Sequence, residues 1–129
     1  MTINVHSVSS VELERCARPV VVIDLVAITL QSGALSVLLH QRSEPPFEGT
    51  WALPSGVLDV ATCGWQGEPF GEAARRIFET QTGISSASCH FSPLGAFGRV
   101  GRDPRTRVIS MPWLVGVSPA HIAEVEAQN

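Results

Sequence analysis

Runs of apolar residues, separated by polar turns, predict several strands in the first half of the chain. Residues 20–30 are almost all apolar and mostly β-branched, which predicts a long strand. A turn at 31–33 and a second apolar run at 34–40 predict that this strand continues into a hairpin. An irregular loop at 45–51 and a short extended segment at 51–54 then follow.

Residues 71–82 have the periodicity of an amphipathic helix. Four apolar residues fall on one face of this helix: Ala73, Ala74, Ile77 and Phe78. Pro69 suits the start of a helix, and Gly83 suits the residue after its end. We therefore expect this face to pack against the sheet.

The remaining segments complete an α/β pattern. Residues 92–98 and 107–117 predict two more strands, which an arginine-rich turn joins, and residues 118–129 have a weak helical pattern. Residues 1–18 are polar and mixed, which predicts a poorly ordered arm. The order of elements predicts a single α/β domain with a mixed sheet over residues 19–129.

Composition narrows the class of protein. Hydrophobic residues make up 44% and charged residues 16% of the 129, which is typical of one globular domain. The net charge of −3 gives no reason to expect direct nucleic-acid binding. The three cysteines lack metal-ligand spacing and predict a reduced, cytoplasmic protein, and no apolar run is long enough to span a membrane.

A spaced motif surrounds the predicted helix. Its residues are Gly56, Glu68, Arg76, Phe78, Gly83 and Ile84. This motif closely resembles the signature of the Nudix hydrolases, which cleave a nucleoside diphosphate linked to another moiety. The resemblance implies a mixed sheet sandwiched between helices, with three glutamates that hold Mg²⁺. In this chain the three glutamate positions are Ile77, Thr80 and Gln81.

The loss of these glutamates changes the expected chemistry. Carboxylates at i, i+3 and i+4 lie on one helix face and form a cage for a divalent cation, which neutralises charge during diphosphate cleavage. Ile77, Thr80 and Gln81 are neutral, so we expect no metal site there and no cofactor. The first hypothesis is therefore a protein that binds a nucleoside diphosphate derivative with weak or no hydrolysis.

Two alternatives remain open. The first is an active Mg²⁺-dependent pyrophosphohydrolase that uses other carboxylates, namely Asp59, Glu68, Glu72 or Glu79. The second is an interaction module with a vestigial ligand site.

Other segments narrow the resemblance to one branch of the family. Residues 39–43, 46–54 and 97–110 resemble ADP-ribose pyrophosphatases and their relatives. A signature that lacks its glutamates is similar to Nudix-related transcriptional regulators, which sense ADP-ribose and carry a winged helix for DNA. The 12 residues after Val117 are too few for a winged helix. Residues 60–67 hold an insertion of six residues relative to the signature.

The resemblance supplies candidate site residues. Candidates for catalysis are Glu68, Arg76 and Glu79. Arg76 could instead have a structural role, pairing with Glu72 or Glu68, and a carboxylate at position 68 also suits the start of a helix. Glu79 is expected to face solvent, with a role as a metal ligand as the alternative.

Candidates for ligand binding are Arg42, Trp51, Arg99, Arg102 and Arg105. Guanidinium groups in the turn could clamp a diphosphate through paired hydrogen bonds, or could form a solvated turn with a surface ion pair. Trp51 could stack on a base or fill the core.

The partners that we expect are a nucleoside diphosphate-type small molecule and a second copy of the chain. The C-terminal layer of the family fold looks shortened after Val117. We therefore expect a homodimer, with the apolar strand at 107–117 or the tail at its interface.

Overall fold

One long strand organises the sheet in the computed structural model of the chain, which describes residues 7–61 and 67–128. In chain order the elements are α1 (Ser10–Arg15), β1 (Val20–Gln31), β2 (Ala34–Val37), β3 (His40–Gln41), β4 (Trp51–Ala52), β5 (Ser55–Val57), α2 (Phe70–Thr82), a 3-10 turn (Ser86–Ser88), β6 (His90–Pro93), β7 (Val108–Ser110), β8 (Trp113–Gly116) and α3 (Pro119–Gln128). Strand β1 pairs antiparallel with β2 and β5, and parallel with β7 and β8. Strand β6 continues the sheet beyond β8, while β3 and β4 form a separate small ribbon. The prediction of an α/β domain with a mixed sheet is confirmed.

Strand β1 has two different faces because side chains alternate along a strand. Ile23, Leu25 and Ala27 are buried on the face that packs against helix α2. Asp24 and Val26 point to the opposite face and line a cavity there. One strand therefore supplies both the core and a wall of a concave surface.

Helix α2 buries the face that its periodicity predicts. Ala73, Ala74, Ile77 and Phe78 are all buried, and Phe78 also meets the ring of Phe91 edge to face at 5.6 Å. The helix begins after Pro69 and ends at Gly83, whose φ of 73° is a left-handed conformation that glycine adopts without strain.

The predicted N-terminal arm contains a short helix that the sequence interpretation missed. Ser9 accepts a hydrogen bond from the Glu12 backbone N–H, and the Glu12 carboxylate accepts one from the Ser9 N–H. This capping box satisfies backbone donors at the start of α1 and defines its N-terminal end. The division of the chain at residue 18 into an arm and a domain stays a prediction.

Prolines shorten or divide two of the predicted strands. The strand predicted at 92–98 overlaps β6 (His90–Pro93) only at Ser92 and Pro93, and an isolated bridge between Phe97 and Ser110 is what forms in the rest of the predicted range. The strand predicted at 107–117 is divided into β7 and β8 on either side of Met111 and Pro112. Proline has no backbone N–H to give to a ladder, which explains the break at Pro112 between β7 and β8, both of which pair with the central strand β1.

The last strand, which we expect at a homodimer interface together with or in place of the tail, lies inside the sheet. Strand β8 is bonded to β1 on one side and to β6 on the other. Its Val115 is buried, and Trp113 and Leu114 are half-buried. Pairing at both edges does not decide whether a second copy covers a face of this strand, so the homodimer stays a prediction. Within the described part of the chain, no helix has the length and apolarity needed to cross a membrane.

Candidate functional site

The three signature positions on helix α2 hold side chains that make contacts within the protein. Ile77 is only 2% exposed and packs against Gly56 in β5. The Thr80 hydroxyl donates to the carbonyl of Arg76 at 2.8 Å, one turn earlier on the same helix. The side-chain amide of Gln81 donates to the carbonyl of Ser55. This helix face therefore joins α2 to β5 and presents no carboxylate at these positions.

Glu68 and Arg76 form an ion pair next to this face. The Arg76 guanidinium donates to both carboxylate oxygens of Glu68, at 2.9 and 2.5 Å, and to the carbonyl of Val57 at 3.1 Å. Glu68 also accepts the Asp59 N–H at 3.0 Å, and its side chain is only 4% exposed. The hydrogen bonds from Arg76 hold the pKa of Glu68 below its usual value. The predicted pairing of Arg76 with Glu68 is confirmed, and the pair links the helix to the end of β5.

Glu79 lies near the other end of α2 and faces a different segment. Its carboxylate accepts the backbone N–H of Ser86 at 2.9 Å, and this bond lowers the pKa of Glu79. Among residues 7–61 and 67–128, no three His, Cys, Asp or Glu side chains are grouped so that they could hold a metal ion. The catalytic roles of Glu68, Arg76 and Glu79 stay predictions.

Most of the predicted insertion at 60–67 lies outside the described residues. The backbone on either side of it is closed by a hydrogen bond from the Glu68 N–H to the Asp59 carbonyl at 3.0 Å. Asp59 also donates its backbone N–H to the Glu68 carboxylate, so two hydrogen bonds hold Asp59 and Glu68 together.

Four predicted ligand-binding arginines line one concave region, which we call the arginine cleft. It consists of two adjoining cavities of about 790 and 330 Å³ that share Asp24, Leu53 and Arg102. Arg99 lines the larger cavity, and Arg42 and Arg105 line the smaller one. The sequence places these arginines on two loops, and the fold brings the loops together across the outer face of β1.

Hydrogen bonds within the protein already position several of these guanidinium groups. Arg102 donates to the carbonyl of Phe97 at 2.9 Å and lies 3.5 Å from the Asp24 carboxylate. Arg105 donates twice to Asp103, at 3.0 and 2.8 Å, and these bonds lower the pKa of Asp103 to about 2. Arg42 donates to the carbonyl of Pro46 at 2.7 Å. Arg42, Arg102 and Arg105 are therefore held at the cleft by partners within the protein.

Trp51 does not lie in the arginine cleft. Its side chain is 67% exposed and lines a different cavity of about 480 Å³, together with Phe78 of α2 and Ile122 of α3. The structure does not bring Trp51 together with the arginines, so a role for Trp51 in ligand binding stays a prediction.

The sequence interpretation missed several residues that line the arginine cleft. Asp24, Leu53, Phe97 and Ser110 all line its larger cavity. Asp24 carried a usable signal, since it is the only charged residue in the apolar segment 20–31. Ser110 and Leu53 carried no such signal, because single serines and leucines are common in any strand or loop.

Comparison with protein families and curated proteins gives consistent results. A family model described as the NUDIX domain matches residues 19–127. The ADPR responsive transcriptional repressor NtrR of Acinetobacter baylyi is 32% identical over 87 residues, which are 67% of this chain and 32% of the repressor. The ADP-ribose pyrophosphatase of Methanocaldococcus jannaschii is 35% identical over 81 residues, which are 63% of this chain and 43% of that enzyme. The chain spans less than half the length of either relative.

Solved structures agree with the fold. The NUDIX domain of Shewanella oneidensis NrtR, crystallised with ADP ribose, gives a TM-score of 0.69 at 26% identity, covering 81% of this chain and 64% of that one. NrtR has also been crystallised with a 27mer DNA, and that structure gives a TM-score of 0.69 at 25% identity, covering 84% of this chain and 48% of that one.

Proposed function

This chain belongs to the NUDIX domain family, and we propose that it binds a nucleoside diphosphate derivative of the ADP-ribose type with weak or no hydrolysis. The observation that carries the proposal is the arginine cleft, in which Arg42, Arg99, Arg102 and Arg105 line two adjoining cavities. The relatives include a repressor named for its response to ADPR and a domain crystallised with ADP ribose, which supports this ligand class.

The chemistry of the cleft suits a diphosphate that is linked to a less polar group. Guanidinium groups bind phosphate oxygens through two parallel hydrogen bonds and stay charged at every physiological pH. Leu53, Phe97 and Val26 give the larger cavity an apolar wall against which a base or a sugar could lie. Its volume of about 790 Å³ lies within the range typical of small-molecule sites.

The contacts of helix α2 support weak or no hydrolysis. Residues 77, 80 and 81 do not fit Mg²⁺, because Ile77 is apolar and buried and the other two side chains are neutral hydrogen-bond donors to backbone carbonyls. Two of the four carboxylates named in the hydrolase alternative already have partners. Glu68 pairs with Arg76, and Glu79 accepts the backbone N–H of Ser86. We therefore favour binding over turnover, with Mg²⁺ required only under the hydrolase alternative.

Calorimetry combined with product analysis tests the proposal. ADP-ribose should bind equally well with EDTA and with Mg²⁺, because arginines and not a metal hold the diphosphate. Chromatography of the same samples should find little or no AMP. The absence of binding to ADP-ribose and to other nucleoside diphosphates would refute the ligand class, and efficient Mg²⁺-dependent AMP release would establish the hydrolase alternative.

Three broader features belong to the same proposal. We propose a cytoplasmic homodimer, to be tested by sedimentation over a range of protein concentrations. We also propose that this domain does not itself bind nucleic acid, on the ground of its net charge of −3. Because NrtR was crystallised with DNA, the direct test is a titration of this chain against a labelled 27-mer duplex.

A further inference from the structure

Asp24 is a carboxylate placed among arginines in a cleft that we propose binds an anion. It lies on β1 between the buried residues Ile23 and Leu25, and the alternation of the strand turns it away from the core and into the arginine cleft. It is one of three residues that line both cavities. A negative charge at this point works against phosphate binding, so its presence requires another explanation.

The partners of Asp24 engage only one of its two oxygens. Oδ2 accepts the hydroxyl of Ser110 and also lies 3.5 Å from Arg102. In the described part of the chain, Oδ1 has no hydrogen-bond partner, although a carboxylate oxygen can accept two hydrogen bonds. The carboxylate therefore keeps acceptor capacity within the cleft.

The neighbours of Asp24 hold it in one orientation. Ser110 is only 2% exposed, and its backbone exchanges two hydrogen bonds with Phe97, at 2.8 and 2.9 Å. Arg102 bridges the carbonyl of Phe97 and the carboxylate of Asp24. These four residues form a closed ring of contacts that lines the larger cavity and presents Asp24 as a fixed acceptor.

We propose that Asp24 is a specificity-determining residue that accepts hydrogen bonds from hydroxyl or amine donors on the nucleoside or sugar part of the ligand. A carboxylate attracts such donors and repels phosphate oxygens, so it separates the cleft into two chemically different parts. Arg42 and Arg105 in the smaller cavity then hold the diphosphate. The ligand class is a diphosphate that carries a donor-rich neutral group on one side and no further phosphate there. This inference rests on the proposed function.

Replacing Asp24 with Asn tests the inference because two ligands should respond in opposite directions. ADP-ribose should bind at least tenfold more weakly to Asp24→Asn, since the amide is a poorer acceptor than the carboxylate. Pyrophosphate, which has no donor group to lose, should bind equally well or more tightly, since a negative charge is removed and Arg102 is released. Two further comparisons then identify which donor contacts Asp24. Inosine diphosphate ribose against ADP-ribose tests the amine, and 2′-deoxy-ADP against ADP tests the 2′-hydroxyl.

Asp103→Asn is the matched control, because Asp103 also lines the cleft and pairs with an arginine. It should change the binding of both ligands in the same direction. Ser110→Ala is a second variant that leaves the Asp24 charge in place but removes one hydrogen bond that orients it. It should weaken ADP-ribose by about threefold and leave pyrophosphate unchanged, and so it tests the inference even if Asp24→Asn does not fold.

The outcomes separate this inference from the proposed function. If the unmodified chain binds neither ligand, the proposed function fails. If the unmodified chain binds ADP-ribose and Asp24→Asn weakens both ligands alike, or neither, the proposed function stands and Asp24 has only a structural role.

Discussion

Ile77 occupies the space in which a side chain at Gly56 would lie. A Cβ atom built on Gly56 would fall 2.7 Å from two carbons of Ile77, which is closer than non-bonded carbons approach. At this contact β5 supplies a glycine, Gly56, and helix α2 supplies the branched side chain of Ile77. A signature position expected to hold a metal-binding glutamate instead holds a residue that packs α2 against β5.

Gly56→Ala should destabilise the fold by about 1–3 kcal/mol, because the added methyl group overfills this contact. Urea unfolding would measure the loss. The double variant Gly56→Ala with Ile77→Val should recover part of it, since valine lacks the outermost carbon of isoleucine. Gly116→Ala in β8 is the control, since its Cβ would meet the nearest atom at an ordinary 3.7 Å. Equal stability for both single variants would show that the contact is not tight.

Phe78→Ala should lower the free energy of unfolding by about 3–5 kcal/mol, because Phe78 is fully buried against the sheet, where its ring meets Phe91 of β6. Phe70, on the same helix, is 41% exposed, so Phe70→Ala should cost less than about 1 kcal/mol. The comparison uses the same chemical change on two faces of one helix. A small effect at Phe78 would mean that the buried face of α2 is assigned wrongly.

The sequence predicted the elements that depend on periodicity and missed those that depend on single residues. The face of α2 followed from apolar residues one turn apart, and β1 followed from a β-branched run. The break between β7 and β8 depends on one residue, Pro112, and helix α1 depends on the reciprocal bonds of Ser9 and Glu12. Pro112 lies within a long apolar run, and Ser9 and Glu12 lie within a polar segment, so the composition around these residues favours a continuous strand and an irregular arm instead.

The candidate site was predicted in the same uneven way. Arginines carry a chemical signal in their residue type, and four of the five predicted ligand residues lie on one cleft. Trp51 carries a signal in its residue type alone, and on the separate β3–β4 ribbon its side chain lines a different cavity. The role of Ser110 depends on a contact with Asp24 across 86 residues of sequence, which no local pattern contains.

Glu68→Ala should destabilise the protein by about 1–3 kcal/mol at pH 7, because it removes the acceptor for Arg76 and for the Asp59 N–H. The pKa of Glu68 is lowered in the folded state, so its contribution is fully present above the unfolded value, about 4.3. The contribution is lost as the pH falls through the folded pKa. The difference in stability between the unmodified protein and the variant should therefore shrink in acid. If the difference in stability between the two proteins stays constant between pH 7 and pH 3, a charged role for Glu68 is contradicted. Glu14→Ala serves as the control, because Glu14 is exposed.

Restoring the three signature glutamates should create a Mg²⁺ site on α2. The variant Ile77→Glu, Thr80→Glu, Gln81→Glu places carboxylates at i, i+3 and i+4. Without metal it should be less stable than the unmodified protein, because a charge replaces the buried Ile77. Mg²⁺ at 100 times its Kd should add about 2.7 kcal/mol to its stability, which thermal unfolding would detect.

The control for the glutamate variant is the double variant Ile77→Gln, Thr80→Gln. Position 81 is already glutamine, so all three positions then have the shape of glutamate without its charge. It should show no stabilisation by Mg²⁺. Stabilisation of the unmodified protein by Mg²⁺ through this helix would contradict our interpretation of residues 77, 80 and 81.

Arg105→Ala should weaken ADP-ribose binding about tenfold to a hundredfold, because a charged hydrogen-bond donor at the smaller cavity is lost. The pKa of Asp103 is about 2, so Asp103 stays ionised and its pairing with Arg105 is intact at any pH used for binding. The unmodified protein should therefore bind with Arg105 already in place. Arg15→Ala, on the exposed helix α1, removes the same charge away from the residues that line the cleft and should leave binding unchanged. If Arg105→Ala instead alters the sedimentation of the protein and leaves ADP-ribose affinity intact, the turn serves an interface between copies and the diphosphate binds elsewhere.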